Sequence, residues 1–277
     1  MKRIDLHTHT TASDGKCSPK ENVMLAEERG LQAIAITDHD TVGGIQEALQ
    51  AAEHLSVEVI PGIEVSTLIE GTEIHVLGYF IDFENEAFNS ELAKLRKTRN
   101  LRNEMMVEKL QELGIEITIE EVKAKQKKKG GNVGRPHIAE VLMEKGIVHD
   151  LAEAFDVYLG KEGKAYVNPP RISPFEGVAL IQKYGGVPVL AHPGLYDYDE
   201  LIKELVEIGL KGIEVHHPDH SPEEVKKYSE MAKEFQLIAT GGSDYHGKRN
   251  GVVFHGDLGS QPIEYEVIEN LRAVKKS

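Results

Sequence analysis

Within eight residues of the stretch IDLHTHTTASDG stand His7, His9 and Asp14. Histidines at i and i+2 on an extended segment project to the same side, and an acidic residue shortly downstream can turn back toward them. That spacing suits a metal ion. Further ligand-type residues follow: Asp38, His39 and Asp40 in AITDHD, Glu64 in PGIEVS, His75 in IHVLGYF, His192 in LAHPG, His216 and His217 in GIEVHH, and Asp244 and His246 in GGSDYH. Any one of these histidines alone reads as structural. Together they fall at the ends of successive strand-like runs, and a chance scatter would not attach a ligand to each. A mixed His and carboxylate set without thiolate suits Mn²⁺ first, then Fe²⁺, Zn²⁺ or Mg²⁺, and so many ligands exceed what one ion can use. Two or three divalent ions are expected. Such a site polarises phosphoryl oxygens and generates hydroxide near neutral pH for in-line attack, so phosphoester hydrolysis needs no separate protein nucleophile.

Positioning these residues requires repeated strand-and-helix units. Seven short aliphatic or β-branched runs read as strands: RIDLH, AIAIT, VEVIPG, IHVLGYF, VPVLAH, GIEVHH and LIATGG. Helix starts are marked by SPKE, SPFE and SPEE, each offering a Ser N-cap (Ser18, Ser173, Ser221), Pro at the first helical position and Glu three after the cap. Gly30, Gly185 and Gly209 stand where helix C-caps want a left-handed residue. Strand, capped helix, glycine, strand is the pattern of an α/β fold, and an α/β barrel builds its active site at the C-terminal ends of its strands. The expectation is a distorted (β/α)₇ barrel.

Between the fourth and fifth strands that pattern stops. Leu101, Met105, Met106, Leu110 and Leu113 form a helical apolar stripe closed by Gly114, and Thr118 with Glu121 and Asp150 with Glu153 suggest two more capped helices. Residues 89–166 therefore read as a helical insertion between barrel segments 1–88 and 167–277. Residues 94–135 hold twelve Lys or Arg against six Glu, so this segment is about +6 within a chain of net charge −14. A run such as KAKQKKKGG is either a solvated loop or part of a basic lid facing an anionic substrate.

Composition sets outer bounds. The 277 residues, 40% apolar and 28% charged, can bury a sizeable core, and no apolar run approaches the roughly 18–20 residues needed to cross a bilayer. MKRIDLH enters a strand with no signal-peptide apolar region, so a cytoplasmic location and no membrane partner are expected. The single cysteine, Cys17, excludes an internal disulfide and leaves metal binding to His and carboxylate. The acidic balance argues against long duplex nucleic acid, and the basic segment is too short a track for a processive nuclease.

The motifs DLHTHTTASDG, TDHD, GIEVS, AHPG and GSDYH together resemble the polymerase and histidinol phosphatase (PHP) family of metal-dependent phosphoesterases. The insertion and VGRPHIAEVL are similar to the subgroup that hydrolyses nucleoside 3′,5′-bisphosphates and removes nucleotides from the 5′ end of short RNA. The resemblance implies three ions. His7 and His9 would share one with Asp244 and a bridging Glu64; Glu64, His75 and His192 would hold a second; Asp14, His39 and His246 a third. Asp38 and Asp40 stay outside this set, since an Asp beside a ligand His orients it or caps the following helix. A small phosphorylated nucleotide or short RNA oligonucleotide is the implied partner.

In GRPH, Pro136 suits the first helical position, which would put Arg135 and His137 at an N-terminus whose amides and dipole favour an anion. Arg135 adds a planar fork suited to phosphate. The two are expected to hold the phosphate that is not being cleaved, with help from Lys164 as the insertion rejoins the barrel. His216 and His217 point to opposite sides of their strand, so only one can face the site; His217 and His220 are candidate substrate contacts. His54, His149 and His255 are assigned no role. Two competing functions are histidinol phosphate phosphatase, which the basic insertion fits poorly, and a non-enzymatic metal-binding regulator.

Overall fold

The computed structural model describes residues 3–126, 131–196, 198–249 and 251–275; Lys127, Lys128 and Lys129 of the basic run lie outside them. The first units are β1 (Ile4–Asp5), α1 (Pro19–Glu28), β2 (Ala33–Ile36) and α2 (Ile45–Ala52), followed by β3 (Glu58–Ile69) and β4 (Thr72–Tyr79). Helices α3 (Glu86–Glu112), α4 (Ile119–Lys123), α5 (Arg135–Glu144) and α6 (Leu151–Ala154) come next. The barrel pattern resumes with α7 (Pro174–Lys183), β5 (Val187–Leu190), α8 (Glu200–Glu207), β6 (Gly212–His216), α9 (Pro222–Glu234) and β7 (Ile238–Gly241). A hairpin of β8 (Lys248–Arg249) and β9 (Val252–Val253) and a final helix α10 (Glu266–Lys275) complete the described chain.

Strands β1 to β7 lie side by side in chain order in one sheet, and a parallel bridge between Thr8 and Tyr245 brings its two edges together. The result is a nearly closed seven-stranded barrel. Side chains alternate across each strand. In β2, Ile34 and Ile36 join the outer layer beneath the helices, while Ala33 and Ala35 face an inner cluster with Leu77, Val189 and Ile268 of α10.

One strand runs the other way. β3 extends past its expected end to Ile69, turns through Glu70 and Gly71 at φ 48° and 78°, and pairs antiparallel with β4. This hairpin replaces a crossover helix and reverses β4. His75, near the start of β4 and in register with Ser66, thereby lies at the same rim as residues that end the parallel strands.

The Ser18, Ser173 and Ser221 boxes all form, each serine accepting the amide of a glutamate three residues on, and Thr118 does the same with Glu121. Gly30, Gly185 and Gly209 follow their helices at φ 67°, 74° and 99°. The apolar stripe expected on α3 is corrected. Leu101 and Leu113 are 49% and 46% exposed, while Arg99, Arg102 and Asn103 are buried with Met106 and Leu110. The first turns of α3 pack Phe88 and Leu92 on the outer layer of the barrel core, its middle brings Arg99 and Arg102 to the buried carboxylates Asp40 and Glu73, and its last turns pack on the apolar cluster of Ile117, Val122, Ile138 and Leu142. Among the described residues no helix is long and apolar enough to cross a membrane.

Candidate metal centre and phosphate cleft

Buried acidic residues need partners, and the rim of this barrel supplies them as histidines. Glu64 stands at the centre. Its Oε2 lies 2.8 Å from His39 Nδ1, 3.2 Å from His9 Nε2 and 3.5 Å from His7 Nε2, and its Oε1 lies 2.7 Å from His75 Nδ1 and 3.0 Å from His192 Nε2. Asp244 Oδ1 faces His9 Nε2 at 3.0 Å and His7 Nε2 at 3.4 Å. Asp14 faces His246 Nε2 at 3.4 Å and His9 and His39 at 3.9 Å. The structure thus brings His7, His9, Asp14, His39, Glu64, His75, His192, Asp244 and His246 to one place. Division into the three expected groups is less clean: His9 also falls with Asp14, His39 and His246, and His192 with His7 and Asp244, because the central rings and carboxylates are shared.

Eight atoms of this set are buried with no hydrogen-bond partner, among them His7 Nε2, both ring nitrogens of His9, His39 Nδ1, Glu64 Oε2 and Asp244 Oδ1. Buried polar atoms are rarely left so, and so many ligand-type nitrogens and oxygens converging on one another fit cations. The electrostatics agree. Burial alone would raise the Glu64 carboxyl, but His39, His75 and His7 hold it well below the usual range. Burial would lower His9, yet the neighbouring carboxylates of Asp244 and Glu64 raise it to about 10. His192, dominated by burial, falls to about 4.

Outer partners fix these groups. Both oxygens of Glu214 lie 3.0–3.1 Å from His7 Nδ1, and one accepts the His192 amide. Asp38 accepts the Thr10 amide and the Thr10 and Ser13 hydroxyls, shaping the loop between His9 and Asp14. Asp40 accepts the Ser66 amide and pairs with Arg99 of α3. The outer oxygen of Asp244 faces His217 Nε2 at 3.4 Å and His255 Nε2 at 3.5 Å. Asp40, His192, Asp244 and His255 all have φ between 23° and 59°, and such strain concentrates at functional sites.

Above the cluster is a cavity of about 230 Å³. Its floor includes Asp14, His39, Glu64 and Asp244, and Arg99, Arg102 and Arg135 form a basic wall. Phe155, Phe254 and His255 roof it. Arg102, Arg135 and Arg171 converge on one carboxylate, Glu73, at 3.2, 3.0 and 2.7 Å, and Glu73 also meets His75 Nε2 at 3.3 Å. Three guanidinium groups share one carboxylate. Burial would raise Glu73, but Arg135, Arg171 and Arg102 hold it well below the ordinary range.

The expected substrate residues separate. Arg135 lines the cavity and lies over the Phe155 ring at 5.5 Å. His137 turns inward instead, its Nδ1 accepting the Gly134 amide at 3.1 Å, so it caps α5 and lines no described cavity. A Cβ at Gly134 would stand 2.6 Å from Asp14 Oδ2, so glycine lets this helix start approach the cluster without displacing the Asp14 carboxylate. Lys164 is exposed, and Lys161 lines the adjoining cavity in its place. His217 is buried toward Asp244, whereas His220 is tied between the Val215 carbonyl and the Gly194 amide.

Sequence reasoning missed Glu73, Glu214, Arg99, Arg102, Arg171 and His255. Glu73 and His75 stand at i and i+2 on one strand and so share a face, and Glu214 is an acid inside an apolar strand. Both were signals. Nothing local marks His255, which a hairpin brings back to the rim.

Comparison with known proteins agrees with this geometry. The profile of the PHP domain family matches residues 5–276. The chain is 35% identical over 249 residues to the Escherichia coli 5′-3′ exoribonuclease Rnm, covering 87% of this chain and 84% of that one. It is 32% identical over 256 residues to the Chromobacterium violaceum 3′,5′-nucleoside bisphosphate phosphatase, covering 91% and 90%. It is also 32% identical over 247 residues to the Eggerthella lenta phosphoribosyl 1,2-cyclic phosphate 1,2-diphosphodiesterase, covering 88% and 94%. A crystal structure from Bifidobacterium adolescentis, described as a metal-dependent phosphoesterase, superposes with a TM-score of 0.89 at 33% identity over 98% of this chain and 95% of that one.

Proposed function

This chain belongs to the PHP domain family and is a hydrolytic metal-dependent phosphoesterase, and we propose that its substrates are small phosphorylated nucleotides. It would release phosphate from nucleoside 3′,5′-bisphosphates, remove nucleotides from the 5′ end of short RNA, or do both. The observation that carries this reading is the basic wall: Arg102 and Arg135 line the cavity and, with Arg171 outside it, share the single carboxylate of Glu73 beside His75. That leaves an excess of positive charge against the metal-facing cavity, which a second phosphate would neutralise.

The nine convergent side chains His7, His9, Asp14, His39, Glu64, His75, His192, Asp244 and His246 would hold two or three divalent ions, Mn²⁺ first among them. When bound, such ions polarise phosphoryl oxygens and lower the pKa of water. The chain's own residues do the rest. Arg135 receives the phosphate that is not cleaved, Arg102 and Arg99 add positive charge on the same wall, and Glu73 keeps the guanidinium groups in place. Phe155 and Phe254 roof the cavity and keep bulk water away. His217 and His255 hold the outer oxygen of Asp244, so that its inner oxygen stays turned toward His7 and His9.

Histidinol phosphate fits less well, because an amino alcohol cation would meet the arginines. The test is a substrate panel with metal-loaded protein: adenosine 3′,5′-bisphosphate, a 5′-phosphorylated short RNA, phosphoribosyl 1,2-cyclic phosphate and histidinol phosphate. Turnover of either of the first two in preference to the others supports the proposal. Preference for the cyclic ester or for histidinol phosphate overturns it, and no turnover of any phosphate ester would favour a metal-binding regulator.

A further inference from the structure

The two edge strands of the sheet, β1 and β7, close the barrel, and among the described residues no ladder of strand pairs joins them. Residues of the metal centre stand on both sides of this seam. His7 and His9 follow β1, and Asp244, which follows β7, places its Oδ1 3.4 and 3.0 Å from their Nε2 atoms. Near the rim the seam is held by backbone: the His9 amide donates to the Tyr245 carbonyl at 2.9 Å, and the Tyr245 amide to the His7 carbonyl at 3.4 Å. One step further from the rim a side chain takes over. Asp5, 1% exposed, accepts the His7 amide at 3.3 Å and the Ser243 amide at 2.9 Å on Oδ1, and the Gly259 amide at 2.7 Å on Oδ2. A buried carboxylate needs compensation, and here three backbone segments supply it. The fit is close. A Cβ at Gly242 would stand 2.4 Å from the His7 nitrogen, so the two sides touch backbone to backbone and a shift of either moves a ligand.

We propose that Asp5 is a positioning residue for the metal centre: its carboxylate clasps the seam of the barrel and so sets the spacing of His7 and Asp244. The inference rests on the reading of the nine convergent side chains as an ion centre, and it gives Asp5 no contact with ion or substrate. Glu214 orients the ring of His7 alone. Asp5 acts on both sides at once, through the backbone of His7 and of Ser243, the neighbour of Asp244. Asp244 itself has a φ of 50°, a conformation that persists only where the surroundings hold it. A carboxylate suits the task because both its oxygens accept. Asparagine has the same shape with one oxygen replaced by NH₂. Whichever way that amide is turned, an N–H group faces either the Gly259 amide or the amides of His7 and Ser243.

The experiment sets Asp5→Asn beside the parent and beside Ile202→Ala, which opens a cavity in the outer layer of the core on α8, away from the seam. Melting temperature is measured for each, and Mn²⁺ affinity by chelator competition well below all the melting transitions. Both variants are expected to melt below the parent. Asp5→Asn alone binds Mn²⁺ more weakly, by roughly tenfold to a hundredfold, the range that loss of an outer partner of a metal ligand costs. Parental affinity in Asp5→Asn, or an equal loss in Ile202→Ala, overturns the clasp and leaves Asp5 a contributor to stability only. If Asp5→Asn does not fold, Gly259→Ala takes its place. Its Cβ, at φ 74° and 2.8 Å from Leu31, forces the Gly259 amide away from Asp5; weakened Mn²⁺ binding then supports the clasp and parental binding overturns it. A parent that binds no Mn²⁺ overturns the ion centre and the clasp together. Because the readout is ion binding, the result stands whichever phosphate ester is the substrate.

Discussion

Replacing Arg135 by alanine separates the binding of a second phosphate from the chemistry at the first. In the free protein Arg135 Nη2 lies 3.0 Å from Glu73, and the side chain is 20% exposed, so a ligand can reach it. A charge-assisted hydrogen bond to phosphate contributes about 1.5–3 kcal/mol, or roughly tenfold to 150-fold in kcat/KM. Because Arg135 must in part exchange Glu73 for the phosphate, the lower half of that range is expected. The loss should appear mainly as a raised KM, since the guanidinium binds a group that does not react. Stability changes little, because Arg102 and Arg171 still hold Glu73 at 3.2 and 2.7 Å. A loss of about 1 kcal/mol would lower Tm by a few degrees. The assay is initial-rate phosphate release from adenosine 3′,5′-bisphosphate and from p-nitrophenyl phosphate, with Arg135→Lys beside Arg135→Ala. The aryl phosphate, which has no second phosphate, should be unaffected within about threefold, and lysine should restore part of the loss, keeping the charge but not the fork. Equal losses on both substrates would refute the assignment of Arg135 to the second phosphate.

Two further predictions address the supports of the site. Glu214→Ala removes the partner of His7 Nδ1, and metal affinity measured by chelator competition should fall about tenfold to a hundredfold, as loss of such an outer partner usually costs; unchanged affinity would show that Glu214 does not orient His7. Glu140 joins α5 to Lys16 and Arg249. Burial would raise its carboxyl, but Lys16 and Arg249 hold it below the ordinary 4.5. A depressed folded-state pKa contributes stability above the unfolded value that is lost as pH falls through the folded one. Glu140→Gln should therefore melt below the parent at pH 7, with the gap closing as pH drops below about 4.5. A gap of constant size down to pH 3 contradicts the pairing.

Much of the barrel was legible because its signals are local. Seven aliphatic runs, three Ser-Pro-x-Glu starts and three closing glycines specify strand, helix and stop without knowledge of the rest of the chain; position at a strand end picked out thirteen ligand-type residues, and the resemblance to the PHP family narrowed them to nine. The reversal of β4 was not legible: VEVIPG reads as a short strand, and only the pairing of Ile69 with Thr72 shows that β3 continues to a hairpin. The buried face of α3 failed for a different reason. Apolar periodicity assumes that the core is apolar, whereas Arg99 and Arg102 are drawn inward by Asp40 and Glu73, residues far away in sequence. GRPH illustrates a third limit. Its helix start was predictable, but whether Arg135 or His137 faces the cleft depends on packing, and His137 turned back to cap α5. His255 reaches the rim only because the hairpin of β8 and β9 folds over it, with Phe254 stacked on Phe155 at 5.9 Å.

The central claim is that these convergent side chains hold divalent ions that make the cleft a phosphoesterase. Its most direct test strips the protein with a chelator, titrates Mn²⁺ back, and follows bound ions per chain together with phosphate release from adenosine 3′,5′-bisphosphate, in the parent and in His9→Ala. More than one ion should bind per parent chain, phosphate release should rise with occupancy, and His9→Ala should lose both while keeping its circular dichroism spectrum. Full hydrolysis by ion-free protein, or by His9→Ala at the parental rate, would contradict the account.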